Sequence, residues 1–142
     1  MFKYKKIHNL HVKYKIPQRA VVLEIIISHL EKDKIIHSQT ELHKYVKEDL
    51  KKIDEDFAIT PSRMRKIALK SGKVHVEISY KKTLFDSYGT KKCPICGHKV
   101  NDIINRTIEG LVTNTGYKCS FCNYWTGTKK RTPMKYVFSL LN

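Results

Sequence analysis

Acidic residues are scarce in this chain. Thirteen Asp and Glu stand against 28 Lys and Arg over 142 residues, which leaves a formal charge of +15. Long apolar runs are missing too: the best, Ala20 to Ile27, is broken by Glu24 and falls far short of the roughly 20 residues that a membrane helix requires. No segment resembles a secretory leader, so the expectation is a soluble, cytoplasmic protein that does not act at a membrane. Also absent are a glycine-rich phosphate loop, a metal-hydrolase motif and a serine-centred elbow. His8, His11, His29, His37, His43, His75 and His98 fall in no ligand spacing. The chain therefore does not read as an enzyme, and no small-molecule substrate is expected.

Cysteine is limited to four residues, all spent in two pairs of one spacing, Cys93-Pro-Ile-Cys96-Gly97 and Cys119-Ser-Phe-Cys122-Asn123. A Cys-x-x-Cys turn brings two sulfurs to one ion, and two such turns complete a tetrahedron. Three other uses of such pairs compete. Two disulfides suit a small secreted scaffold. A redox pair needs one Cys-x-x-Cys beside a β-α-β pattern, and haem attachment needs His directly after the second cysteine, where Gly97 and Asn123 stand. The spacing predicts one Zn2+ held by Cys93, Cys96, Cys119 and Cys122. Four thiolates leave no open position, so the ion is expected to be structural. His98 reads as an exposed polar residue.

The positive excess argues about partners and favours polyanions, nucleic acid first. It is uneven. Residues 1 to 16 carry five lysines and no acid, 17 to 60 seven bases and nine acids, 61 to 92 nine bases and two acids, and 93 to 142 seven bases and two acids. Three segments follow: a basic N-terminal arm (1–16), one module over 17–92 and a second over 93–142, joined through a loop or wing between Lys81-Lys82 and Lys91-Lys92.

In the first module, Pro17 to Leu30 predicts a helix with proline in its first turn. Val22, Leu23, Ile26, Ile27 and Leu30 form one apolar face, while Val21 and Ile25 form a second stripe, covered either by another element or by a homodimer partner. Ser38-Gln39-Thr40-Glu41 has the form of a capping box and opens a second helix with Leu42, Tyr45, Val46 and Leu50 inward. Thr60-Pro61 and Gly72 bracket a third over 61–71. Met64, Ile67 and Ala68 face its inner side and Ser62, Arg65, Lys66 and Lys70 its outer side, with Arg63 at the margin; Leu69 fits neither. Val74 to Tyr80 alternates as a half-buried strand.

Three short helices, a strand and a basic loop predict an α+β chain: a winged helix-turn-helix domain followed by a β-rich zinc ribbon. In such a domain the third helix enters the major groove, making Ser62, Arg63, Lys66 and Lys70 the expected contacts, flanked by Lys73, Lys81 and Lys82. A merely solvated basic face is the alternative. Lys3, Lys5 and Lys6, interleaved with tyrosine, suit phosphate contact and stacking; the arm equally fits an edge strand or a disordered tail. In the ribbon, Ile103, Ile104, Ile108, Leu111 and Val112 supply strands and Asn114-Thr115-Gly116 a turn. The basic loop Lys129-Lys130-Arg131, with Trp125 and Phe138 to either side, either clamps a strand of nucleic acid or lies beside a ribbon core that those two rings fill.

The Cys-Pro-x-Cys-Gly knuckle at 93–97, the pair Cys119 and Cys122, and Thr60-Pro61-Ser62-Arg63-Met64-Arg65-Lys66-Ile67-Ala68-Leu69 resemble archaeal-type small proteins that join a winged helix to a C-terminal zinc ribbon, over residues 17 to 142. Many of these are labelled predicted transcriptional regulators. The same order of modules occurs in the alpha subunit of archaeal transcription factor E, which by analogy links the chain to RNA polymerase, though the long helical spacer is missing here. The basic charge concentrated on residues 61 to 92 favours DNA as partner ahead of RNA. An RNA- or ribosome-binding protein and a docking adaptor for RNA polymerase are the alternatives.

Overall fold

The computed structural model describes residues 14–141 in full and the backbone of residues 5–7 and 10–12. The elements run β1 (Lys5–Ile7), β2 (Leu10–Val12), α1 (Arg19–Asp33), β3 (Ile35–Ile36), α2 (Gln39–Ile53), α3 (Pro61–Ser71), β4 (Val74–Asp86), β5 (Asn101–Arg106), β6 (Val112–Lys118), β7 (Trp125–Thr126) and β8 (Lys129–Leu140). The chain is thus α+β. No helix among the described residues is long and apolar enough to cross a membrane.

Two units emerge, one of residues 1–76 with 137–142 and the other of residues 77–136. The sequence placed the join between 81 and 92, whereas the units part within β4 and again within β8, because both strands run on through the boundary. Lys81 and Lys82 lie on β4, and only Ser87 to Lys92 form a connecting turn, closed by the Thr90 N–H to the Ser87 carbonyl at 3.1 Å.

In the first unit each helix packs on the other two. The N-terminal end of α2 is held by the Ser38 hydroxyl, which accepts the Glu41 N–H at 3.3 Å, and that of α3 by Thr60, which accepts the Arg63 N–H at 3.1 Å; Gly72 ends α3 in the left-handed region at φ 70°. A side-chain oxygen satisfying one open N–H of the first turn contributes about 1 kcal/mol. Helix α1 starts later than expected, at Arg19, with Gln18 as an extended cap and Pro17 ahead of it, and runs past Leu30 to Asp33.

The inward faces are Val22, Ile25, Ile26 and Leu30 from α1, Leu42, Val46 and Leu50 from α2, and Met64, Ile67 and Ala68 from α3. Ile25 therefore belongs to the core, whereas Val21, Leu23 and Ile27 are half-buried, the last two beside a hollow they share with Ala20. Within the N-terminal arm, the described backbone forms an antiparallel pair, Lys5 opposite Val12 and Ile7 opposite Leu10. Across the unit, β3 pairs with the end of β8, Ile36 opposite Phe138, and the Leu141 N–H reaches the Lys73 carbonyl at 2.9 Å. Phe138, 0% exposed, thus fills the helical core and not that of the cysteine module.

The second unit is built on the antiparallel order β5-β6-β7. Its hairpin turns at Thr107 to Leu111, where the Thr107 N–H meets the Leu111 carbonyl at 2.8 Å and Gly110 takes φ 84°. The expected turn at Asn114-Thr115-Gly116 is instead a bulge within β6: Ile103 faces Gly116 and Ile104 faces Asn114, leaving Thr115 over. Asn114 Oδ1 accepts the Gly116 N–H at 2.8 Å, which is why the segment has turn-like composition. Gly116, at φ 151°, has no room for a Cβ because the Thr126 carbonyl of the adjacent strand lies where it would be. Ile108, expected in a strand, is fully exposed at the hairpin tip, and Leu111 is exposed beside it.

Candidate metal centre

Each cysteine pair sits in a turn of the same construction. The N–H two residues after the first cysteine points at its sulfur, Ile95 to Cys93 Sγ and Phe121 to Cys119 Sγ, both at 3.4 Å. The residue after the second cysteine takes the left-handed conformation, Gly97 at φ 79° and Asn123 at φ 64°, as glycine and asparagine do most readily. The first cysteine's N–H then closes the turn on a carbonyl five residues on, Cys93 to His98 and Cys119 to Tyr124, both at 2.7 Å. Sequence supplies the bend, and the bend frees the N–H groups for sulfur.

The turns bring the four Sγ atoms within 4.8 Å of one another, with Cys93 to Cys122 at 3.3 Å and Cys96 to Cys119 at 3.5 Å. All four are free thiols, three of them buried. A tetrahedral ion with sulfur at about 2.3 Å needs edges of about 3.8 Å, close to what is already in place. The four cysteines form a site able to hold one metal ion. The electrostatics point the same way. Cys93 is drawn down to about 5, chiefly by the hydrogen bond from Cys122, whose own thiol is pushed up by that contact, while burial pushes Cys96 up to about 11. With no cation among them the sulfurs resist ionising together, and holding all four as thiolates takes a positive ion at their centre.

His98 is half-buried and not exposed as expected: its Nδ1 lies 3.3 Å from Cys96 Sγ and its ring stacks on Phe121 at 4.3 Å. It braces the cage from outside. Tyr124, 0% exposed, forms the wall that sequence assigned to Trp125 and Phe138, and its hydroxyl donates to the Arg131 carbonyl at 2.6 Å.

The expected nucleic-acid residues divide between the units. On α3, Lys70 is exposed and Ser62 and Lys66 are half-exposed, but Arg63 Nη1 is shut off from solvent with no partner among the described residues. Arg65 is a correction: it is buried, and Nη1 donates to Gln39 Oε1 of α2 at 2.9 Å. Lys73 is exposed in the turn before β4. In the second unit, Lys81 and Lys82 lie on β4, and Lys129, Lys130 and Arg131 open strand β8 where a loop was expected. Lys5 and Lys6 lie on β1, their side chains outside the described residues, as is all of Lys3. Tyr80 was missed. Its alternation with Lys82 on one strand face, opposite a basic run, was the available signal.

No protein-family model, no curated protein and no solved structure matches the chain.

Proposed function

We propose that the chain is a zinc-holding nucleic-acid-binding protein, with DNA the favoured polyanion and a role in transcription. In this reading α1 to α3 with β4 act as a winged helix-turn-helix, and the cysteine unit acts as a zinc ribbon. Four sulfurs in two Cys-x-x-Cys turns are the donor set of structural zinc, which supplies folding energy and no chemistry. The ion's part is to hold the two turns together; every contact with a partner is made by side chains.

The observation that carries the reading is where the charge is spent. The described ion pairs are Lys15 with Asp54, His29 with Asp49 and Lys52 with Asp49, so acids and their partners are concentrated around α2. Among the described residues Lys66, Lys70, Lys73, Lys81, Lys82, Lys129 and Lys130 have no carboxylate partner. Uncompensated cations on α3 and the turn after it in one unit, and on β4 and β8 in the other, are each an electrostatic footprint for phosphate. A protein-docking role, for RNA polymerase or a ribosome, is supported by one further feature, the exposed Ile104, Ile108, Leu111 and Val112 of the β5-β6 hairpin.

Duplex affinity measured by fluorescence anisotropy over a salt series tests the proposal. Log affinity is expected to fall linearly with log salt, with a slope of about −0.9 per phosphate engaged. Lys66→Ala and Lys70→Ala are each expected to flatten it by about 1. Salt-independent binding, or variants that bind as the parent does, would rule the DNA reading out.

A further inference from the structure

The second unit carries a hollow of about 440 Å³ whose lining includes Tyr80, Lys82, Trp125, Lys129 and Arg131. Three of those five side chains are cations and none is an acid. We propose that it is a nucleotide subsite, taking one unpaired base and its phosphate from single-stranded nucleic acid.

The floor of the hollow is a fixed stack. The Arg131 guanidinium lies 3.9 Å from the Trp125 ring centre and 4.1 Å from that of Tyr80, and its Nη1 donates to the Trp125 carbonyl at 3.1 Å. Cation–ring contacts and that bond hold the guanidinium in place, so little ordering remains to be done when a ligand arrives. Burial holds the Tyr80 phenol up at about 12, so it stays neutral and does not cancel the charge beside it. Lys82 and Lys129 add ammonium groups with no described ion pair.

Trp125 is the chain's sole tryptophan, yet it is 51% exposed, while its neighbours Tyr124 and Thr126 are fully buried. The alternation of the strand turns the core work over to Tyr124 and leaves the indole at the pocket wall. A flat aromatic surface with adjoining cations selects a ligand that is both planar and anionic. Inorganic phosphate offers no plane, and an apolar molecule offers no charge. A base inside a duplex is already stacked on both faces, so away from duplex ends the indole can receive only an unpaired one. DNA and RNA strands share this chemistry.

The subsite deepens the nucleic-acid reading and rests on it, but through residues other than Lys66 and Lys70. Trp125 fluorescence of the full, metal-loaded chain reports on it directly. Titration with oligo-dT and oligo-U of equal length is expected to quench the indole, the tighter of the two identifying the strand type; inorganic polyphosphate and a blunt duplex are expected to leave it unquenched. By anisotropy, Trp125→Ala is expected to weaken single-strand binding about 5- to 150-fold, the range that loss of one stacked base gives. Trp125→Tyr is expected to restore most of it, and Lys82→Ala with Lys129→Ala to flatten the salt slope by about 0.7, the single-strand value for the one phosphate engaged. Metal content equal to the parent's shows that each variant is folded. Single-strand affinity unchanged in Trp125→Ala, or quenching by polyphosphate equal to that by oligonucleotides, would overturn the subsite. Loss of duplex binding alone would remove the DNA reading and leave the subsite standing.

Discussion

Stripping the metal with a chelator is expected to unfold residues 77–136 and to leave the three helices folded. The physical ground is the small apolar content of that unit. Beyond the cysteines its buried apolar side chains are Ile95, Val100, Tyr117 and Tyr124, while Ile104, Ile108, Leu111 and Val112 on the hairpin face solvent. A unit of this size rarely supplies more than about 3–5 kcal/mol from its core. Structural zinc binding is worth an apparent 10–16 kcal/mol in zinc-finger peptides, so a zinc ion held by these four sulfurs would outweigh the packing. The helical unit has its own apolar core, from Val22 to Val74 with Phe138. Hydrogen exchange after chelation is expected to show loss of protection at β5, β6 and Tyr124, with α1 to α3 protected as before. Cys96→Ser should behave similarly by removing one of four ligands. Acid should release the ion, because a ligating thiolate must give up its place to a proton. A cysteine unit equally protected with and without chelator would contradict this.

Phe138→Ala is expected to cost the helical unit about 3–5 kcal/mol, as a fully enclosed aromatic does on truncation. Against a typical total of about 5–15 kcal/mol, that is enough to lower a urea midpoint sharply or to leave the helices partly unfolded at rest. The side chain is 0% exposed, and its backbone pairs with Ile36 of β3, so the cavity is bounded by a strand and the helices and cannot collapse cheaply. Met134→Ala on the same strand β8, where the side chain is exposed, is expected to change stability by no more than about 0.5 kcal/mol. Urea unfolding followed by helical circular dichroism measures both. Equal midpoints for the two variants would show that Phe138 does not close the helical core.

The helices were legible because their signals are local. Ser38 and Thr60 cap their helices within one turn of themselves and Gly72 ends α3 where the sequence placed them, although the Glu41 carboxylate of the expected box accepts the Tyr45 hydroxyl. The cysteine cluster was legible for a similar reason: each turn carries its own bend and needs only a copy of itself nearby. What failed depended on partners distant in sequence. The wheel of α3 put Arg65 outside, because nothing local announces Gln39 as its acceptor. Phe138 was given to the cysteine module by proximity, whereas β8 returns it to Ile36, about a hundred residues earlier. Asn114 and Gly116 have turn chemistry, and they use it to form a bulge inside a strand; the real turn lies between Ile108 and Leu111, whose apolar character disguised it. Charge was legible only as a sum. Which cations meet Trp125, and which turn away, is decided by strand pairing.

X-ray absorption at the metal edge, on chain purified without chelator, examines the sulfur cage itself. One zinc per chain with four sulfurs at about 2.3 Å is the expected result. Protein recovered without metal and with its sulfurs joined as cystine, or a metal shell dominated by nitrogen and oxygen, would contradict it.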